Sequence, residues 1–573
     1  MKRYYDVVVI GSGFGGSITA YRLAEAQKKA GKEVSVCVLE RGKRYHMGEF
    51  PRDLSKPKDW WWRNGGRGGW KGLMEFRSFD NISVLVGSGV GGTSLLYLDI
   101  QIDAFKSTFD IKGPEGQRRW PSAIRGRSPE DPEGNGLENM LPYYQRVFDM
   151  LRPSPIPDPP LKTVALKAAA DGGGAPDRFR LLDLAIYWGK DGSEKGVLNE
   201  DPYGRGGPPQ IGCAYCGECF IGCNTHSKNT LDLNYLWFAA KAGADIYSQH
   251  RVVKIEQNPD DHPVHPKGYT VHYEDLRWNF AGTVSAKILI VSAGSLGSTE
   301  LLLRCKHGYR IGRKKVVPTL PNLSDMLGRY FSGNGDFGAV GFEINRTVNP
   351  MIGPTITATV DYRDRLDGHG FIVEDGGFPD MLRAHLRRTS GGYASGRRWL
   401  RALKGIFNRG GSDRLVEGIF NQLLKQMDFD AVRDNLPYLV MGIDAADGEM
   451  SIDEEGNLEI DWSHRHSMPL FRDIEKTLRE MTEPPRPGLD GNLMLNPTWS
   501  AQKHLITVHP LGGCPMGDDD AKGVVDANGQ AFNYPNLYVV DGSIVPSALG
   551  PNPSKTIGAL AERISEKIIE KGI

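Results

Sequence analysis

The spacing of apolar residues changes sharply within the first forty positions. Val7-Val8-Val9-Ile10 is an unbroken apolar run inside Tyr4 to Ile10, the pattern of a strand covered on both faces. Gly11-Ser12-Gly13-Phe14-Gly15-Gly16 follows at once. From about Ser17 to Lys29 the period is helical, with Ile18, Tyr21 and Ala24 near one face, and Gly31 closes the helix. Glu33 to Leu39 reads as a second strand and ends in Glu40. A loop-rich stretch over 45–80 carries Trp60, Trp61, Trp62 and Trp70. Ile82 to Val86 is strand-like and runs into a second glycine turn, Gly87 to Gly92. Leu137 to Leu151 and Leu231 to Ala242 read as helices. Ala244 to Tyr247, Val252 to Ile255 and Lys287 to Val291 read as strands. Between about Asn334 and Ile372 the period falls towards two, which predicts antiparallel strands. Met450 to Asp453 and Leu458 to Asp461 flank a polar turn, as in a hairpin. Leu537 to Asp541 is one more buried strand, and Ile557 to Ile569 is the final helix.

Gly11-x-Gly13-x-x-Gly16 therefore sits between a strand and a helix, with an acid closing the next strand. The first glycine permits the tight turn, the second lets a pyrophosphate reach the backbone, and the third lets helix and strand pack closely. Amide groups at the helix start favour phosphate. Glu40 stands where an acid takes ribose hydroxyls, which argues against a 2′-phosphate. FAD and NAD share this arrangement. The second glycine turn, through Gly87, Gly91 and Gly92, is not needed for NAD and indicates a second close approach of backbone to a large cofactor. The fold class is α/β. It combines a Rossmann-like nucleotide-binding domain with an inserted α+β domain built on an antiparallel sheet. We place the first at residues 1–110, 205–315 and 500–573, and the second at 111–204 and 316–499.

Composition narrows the partners. Lys+Arg and Asp+Glu are 70 each, so no global basic field exists to hold nucleic acid. The apolar runs are far shorter than the roughly 20 residues of a membrane-spanning helix. No charged and apolar leader precedes the first strand, so the expected location is cytoplasmic or peripheral to a membrane. Glycine is 71 of 573 residues, and many of these stand at strand ends and loop apices.

The chemistry concentrates near the C-terminus. Thr507-Val508-His509-Pro510-Leu511-Gly512-Gly513 is followed by Asp541-Gly542-Ser543 and by Asn552-Pro553-Ser554-Lys555-Thr556. With the N-terminal fingerprint, the Gly87 to Gly92 turn and Ser292-Ala293-Gly294-Ser295-Leu296-Gly297, these segments resemble the glucose–methanol–choline (GMC) flavin oxidoreductases, and within them the cholesterol oxidase-like branch. The resemblance spans nearly the whole chain and is least clear over 316–499.

It implies an FAD cofactor held by Gly11, Gly13, Gly16 and Glu40, with the flavin ring near Gly87, Gly91 and Gly92. Val253 would meet the adenine through its backbone, and Asp541 and Gly542 would approach the ribityl and pyrophosphate region. His509 matches the active-site histidine and Asn552 its polar partner. Glu374, placed by order along the chain, matches a carboxylate that shifts a double bond in sterol oxidases. A histidine titrates near neutrality and can take a hydroxyl proton, and an asparagine can orient the substrate oxygen. The implied activity is oxidation of a sterol or other bulky hydrophobic alcohol by hydride transfer to flavin N5. Oxygen or another acceptor would take the electrons.

Two further features stay open at this level. Cys213-x-x-Cys216-x-x-Cys219-x-x-x-Cys223 has the spacing of a bacterial iron–sulfur run, without the following proline. Thiols so spaced can also bind zinc, form a disulfide or simply pack. An iron–sulfur cluster would favour a sugar or polyol dehydrogenase that passes electrons outward. A flavin-bound protein without turnover is a third reading, opposed by the intact His509 and Asn552. Arg397 to Phe407 forms a basic amphipathic pattern, with Trp399, Leu400, Leu403, Ile406 and Phe407 on one face. Such a helix can pack on the protein or lie on a bilayer.

Overall fold

A computed structural model of the chain describes residues 1–29, 31, 34–113, 116–126, 135–364, 369–381, 431–483 and 488–572. Strand Tyr4–Ile10 is central to a seven-stranded sheet, and Val7, Val8 and Val9 are fully buried. It pairs in parallel with Val36–Leu39 on one side and Phe280–Val291 on the other. Asp245–Tyr247 extends the parallel part beyond Val36–Leu39, and Leu537–Val539 pairs in parallel with Phe280–Val291. Five strands from widely separated stretches of chain thus build the parallel part of one sheet. Tyr269–Asp275 and His250–Gln257 continue it as antiparallel strands.

The helix after the first glycine turn spans Phe14–Lys29 and so begins three residues before the expected Ser17. Gly15 and Gly16 already belong to its first turn, because no Cβ keeps them from Val540 and Gly11. The expected helix from Leu231 is two pieces. Asn234 (φ −136°, ψ −91°) breaks it, and its side chain caps the Tyr235 amide of the second piece at 2.7 Å.

A second sheet has six strands, all antiparallel, in the order Asn492–Leu495, Phe337–Phe342, Leu436–Gly442, Phe371–Asp375, Ala358–Tyr362 and Phe179–Leu181. Helix Met468–Thr482 packs on this sheet through Leu470, Phe471, Ile474, Leu478 and Met481, one face at helical spacing. The hairpin Glu449–Ile452 with Leu458–Asp461 forms as expected.

A small three-stranded sheet positions the site. Leu505–Thr507 runs parallel to Ile82–Gly87, with Thr507 opposite Val84. His509 is therefore carried to the same end of that sheet as the Gly87 turn. An isolated bridge from Ser332 to Leu511 ties this junction to the start of the six-stranded sheet.

Trp60 and Trp62 are buried in the loop that they belong to, and the Arg41 guanidinium lies over the Trp62 ring at 5.0 Å. The amphipathic pattern at 397–407 lies outside the described residues. Among the described residues, no helix is long and apolar enough to cross a membrane.

Candidate active site

The two glycine turns meet back to back. A Cβ on Gly92 would stand 2.7 Å from Gly13 Cα, and Gly91 has φ +109°. Ser12 joins them to the acid. Its hydroxyl donates to Glu40 Oε2 at 2.7 Å and accepts from the Gly91 amide at 3.1 Å. Glu40 Oε1 accepts from the Gly42 amide at 2.7 Å. Burial nonetheless holds the Glu40 carboxyl above its ordinary pKa, and these hydrogen bonds oppose the shift.

Each fingerprint glycine has a distinct environment. Gly11 and Gly16 have no room for a side chain, with backbone oxygens 2.2 Å from each would-be Cβ. A Cβ on Gly13 would meet nothing within 4 Å, and the same is true of Gly294 at the start of helix Gly294–His307. Open space over these two backbones is what a phosphate-bearing ligand needs.

Three more observations fit a large polar cofactor. Asp232 Oδ1 and Ser88 Oγ, beside the Gly91 turn, are buried without a hydrogen-bond partner. Burial raises Asp232 to about 6. Val253 falls at a bulge, since His272 pairs with Lys254 while Tyr273 pairs with Val252, which leaves the Val253 backbone out of the ladder. Asp541 closes the far end of the cradle, accepting from the Gly294 amide at 2.9 Å and Ser298 Oγ at 2.5 Å through Oδ2. The neighbouring Gly542 lines the same space, and Gly87 packs on Thr93 at the foot of the second turn.

From Gly13, Gly294 and Asp541 one cavity of about 410 Å³ continues to His509 and Asn552. Its walls are mostly aliphatic, including Leu85, Leu98, Ile100, Ile356, Leu439 and Met441. His509 Nδ1 lies 2.7 Å from Asp336 Oδ1. A carboxylate only accepts, so Nδ1 carries the proton and Nε2 is left as an acceptor. Asp336 is itself clamped. Its Oδ2 accepts from Thr507 Oγ1 at 2.7 Å and from the Val508 amide at 2.9 Å. The imidazole is thus set in tautomer and orientation by three bonds to a single carboxylate.

Asn552 is buried, and its Oδ1 has no hydrogen-bond partner. Its loop is held by Asn334, which donates to Pro551 O at 2.9 Å and accepts from the Leu549 amide at 2.8 Å. Glu374 pairs across the sheet with Leu439, a cavity residue. It is fully buried, and neither carboxyl oxygen makes a well-formed hydrogen bond. Burial pushes its pKa well above the ordinary range, and the nearby Asp375 adds to this. The Asn552 amide acts the other way. Lys162 pairs with Asp375 at 2.7 Å, both wholly buried.

Sequence reasoning named His509, Asn552 and Glu374 and did not name Asp336 or Asn334, which the structure places beside them. Asp336 and Asn334 both stand in the glycine-rich run Gly333-Asn334-Gly335-Asp336-Phe337-Gly338, a local signal that was passed over, and Asp336 is 173 positions from the histidine it holds.

The cysteine run is a correction. Among the described residues, no group of three or more His, Cys, Asp or Glu is arranged to hold a metal ion. The loop over 213–223 turns at Gly217 (φ +72°) and Gly222 (φ +86°), with Cys216 exposed, Cys213 and Cys219 buried, and all four cysteines around one small pocket. Cys223 engages Thr225 Oγ1 at 3.2 Å. Burial pushes Cys219 up to about 12. The loop is anchored by Lys228, whose ammonium donates to Cys219 O at 2.9 Å and Tyr97 O at 2.5 Å. The iron–sulfur alternative therefore has no ligand set here.

The family description "GMC oxidoreductase" matches residues 210–314 and again 457–561. A cholesterol oxidase of Acinetobacter baumannii is 29% identical over 99% of this chain and 95% of its own length. A cholesterol oxidase of Mycobacterium tuberculosis is 29% identical over 100% of this chain and 92% of its own. A fungal aryl-alcohol oxidase structure superposes with a TM-score of 0.58 over 100% of both chains at 16% identity, a likeness of fold. Two family segments in chain order, with relatives aligned nearly end to end, make this chain a member of the GMC oxidoreductase family.

Proposed function

We propose that the chain is an FAD-dependent oxidoreductase that oxidises the CH–OH group of a bulky hydrophobic alcohol, with a sterol as the leading substrate class. One observation carries this reading: a single apolar cavity joins the phosphate-accepting glycine loop to an oriented histidine. Gly11, Gly13, Gly16, Glu40, Gly91 and Asp541 would hold the cofactor, with Gly87, Gly92, Gly542 and the Val253 backbone around it. Bound there, FAD supplies a hydride acceptor.

The protein's part is proton handling and orientation. His509 Nε2 takes the substrate hydroxyl proton, and Asp336 stabilises the resulting imidazolium. The Asn552 amide donates to the substrate oxygen and sets the carbinol carbon in place. Burial and Asp375 favour the protonated form of Glu374, which must release that proton before it can shift a double bond as a base. The aliphatic walls suit a substrate with few polar groups, as do the relatives named for cholesterol. An external oxidant, oxygen or another acceptor, completes the cycle. In this reading residues 1–110, 205–315 and 500–573 form the cofactor part, and 111–204 with 316–499 form the substrate part.

The test is an anaerobic titration. Purified protein should be yellow, and cholesterol should bleach its visible absorbance. His509→Ala should keep the colour and lose about 10²- to 10⁴-fold in the rate of bleaching. A colourless protein that cannot be reconstituted with FAD, or unchanged bleaching in the variant, would overturn the reading.

A further inference from the structure

The six-stranded sheet continues past the cavity to solvent, and its register draws a row of side chains across it. Gly338 pairs with Leu439, Leu439 with Glu374, Glu374 with Thr359, and Thr359 with Arg180. Directly opposed residues of antiparallel strands project to one face, about 4.5–5.5 Å apart at Cβ. Gly338 and Leu439 line the cavity, and Arg180 is on the outermost strand, Phe179–Leu181. One straight row therefore leads from the cavity wall to the edge of the sheet. The adjacent row, on the opposite face, is Phe337, Val440, Val373, Val360 and Phe179, apolar throughout.

The outer part of the first row is polar where packing alone would ask for aliphatic residues. Glu374 and Thr359 are both fully buried. Burying a carboxyl with no partner costs free energy, so its retention calls for a use. Thr359 Oγ1 donates to Val373 O at 3.2 Å and keeps its lone pairs as acceptors. The Arg180 side chain is 44% exposed and holds Asp361 at 2.8 Å. The charges acting on Glu374 are Asp375 and Asp336, which favour its protonated form, and Arg180 and the buried Lys162, which favour its anion.

We propose that this row is a proton path by which Glu374 exchanges its carboxyl proton with solvent, through the Thr359 hydroxyl and the Arg180–Asp361 edge, while substrate fills the cavity. The step is a relay. The Glu374 O–H bond breaks as its proton passes to Thr359 Oγ1, and the Thr359 O–H proton passes to water at the Arg180–Asp361 pair. The carboxylate is reprotonated by the reverse walk. No electrons move and no heavy-atom bond changes. A bulky apolar substrate shuts water out of the cavity, and this row gives the carboxyl a second way out. The proposal rests on Glu374 being the acid–base carboxyl of the proposed function.

The experiment needs no turnover. In the holoenzyme with cholestane as an inert filler of the cavity, the infrared band of the protonated carboxyl is identified by its loss in Glu374→Gln. Its shift is then followed after mixing into D2O. The wild-type band should shift promptly. Thr359→Val should slow the shift at least about tenfold, Thr359→Ser should restore it, and Arg180→Met should slow it too. A Thr359→Val protein that exchanges at the wild-type rate overturns the path, as does a Glu374→Gln spectrum that loses no band. Failure of the activity is distinguishable. An intact relay in a protein that oxidises no alcohol removes only the proposed function, and normal oxidation with unaltered exchange in Thr359→Val removes only the relay.

Discussion

Asp336 shows how much of the site depends on a residue that never meets the reacting carbon. Asp336→Asn keeps the shape, but an amide can donate to Nδ1 and so admits the wrong tautomer, with Nε2 protonated and unable to accept. We expect the variant to keep FAD and lose about 10²-fold or more in the rate of flavin reduction, read by anaerobic stopped flow. His464 carries a separate prediction. It packs edge-on against Trp462 at 4.4 Å between ring centroids, and burial lowers its pKa to about 4. A base whose folded pKa is depressed contributes stability above its unfolded value near 6.5, and that stability is lost as pH falls towards about 4. The shift corresponds to about 3 kcal/mol. His464→Asn, which suits the left-handed backbone at this position (φ +57°), should flatten the decline of the melting temperature between pH 6.5 and pH 4. His509 and Asn552 were singled out because each stands in a motif of Gly and Pro that the family resemblance carries. Asp336 was not, because its role exists only through chain crossing between Ser332 and Leu511.

Among elements, the first strand, glycine turn and helix were the most legible, since each rests on local sterics. The structure adds a division of labour within the turn. A Cβ on Gly15 would stand 1.5 Å from Val540 O, whereas one on Gly13 meets nothing within 4 Å. Gly15→Ala should fail to fold or melt far below the wild type. Gly13→Ala should melt normally without cofactor and bind FAD about tenfold more weakly or worse, by fluorescence titration. The link between the first and last helices was not legible. Arg22 grips Glu562 with two bonds, Nε to Oε2 at 2.6 Å and Nη2 to Oε1 at 2.9 Å, and Tyr235 donates to the same carboxylate at 2.9 Å. Glu562 is wholly buried, so Arg22→Ala would strand its charge and cost about 3–5 kcal/mol, seen as a lower melting temperature. Nothing in a single helix signals a partner 540 positions away. The cysteine run misled for the opposite reason. Its spacing is a local pattern, and spacing alone does not say whether the thiols form a metal-holding group, of which there is none among the described residues.

In the whole molecule the site is a junction rather than a property of either sheet. The parallel pairing of Leu505–Thr507 with Ile82–Gly87 brings the histidine segment to the second glycine turn, and the bridge at Ser332 brings in the antiparallel sheet. The order of these segments along the chain was enough to expect two interleaved parts. The cavity's shape was not readable, because its walls are drawn from segments as distant as Leu85 and Met441. That shape makes the last prediction. Val86 is half-buried and lines the cavity from the strand that carries the Gly87 turn. It is far in sequence from His509 and Asn552, and its side chain takes no part in proton transfer. Val86→Trp would narrow the space that a large alcohol must fill. If the aliphatic walls select for bulk, kcat/KM for cholesterol should fall more than about tenfold, carried mainly by KM, while that for a short-chain alcohol changes less than about threefold. Equal losses for both would place Val86 in the chemistry, and equal tolerance would mean that the walls do not choose the substrate.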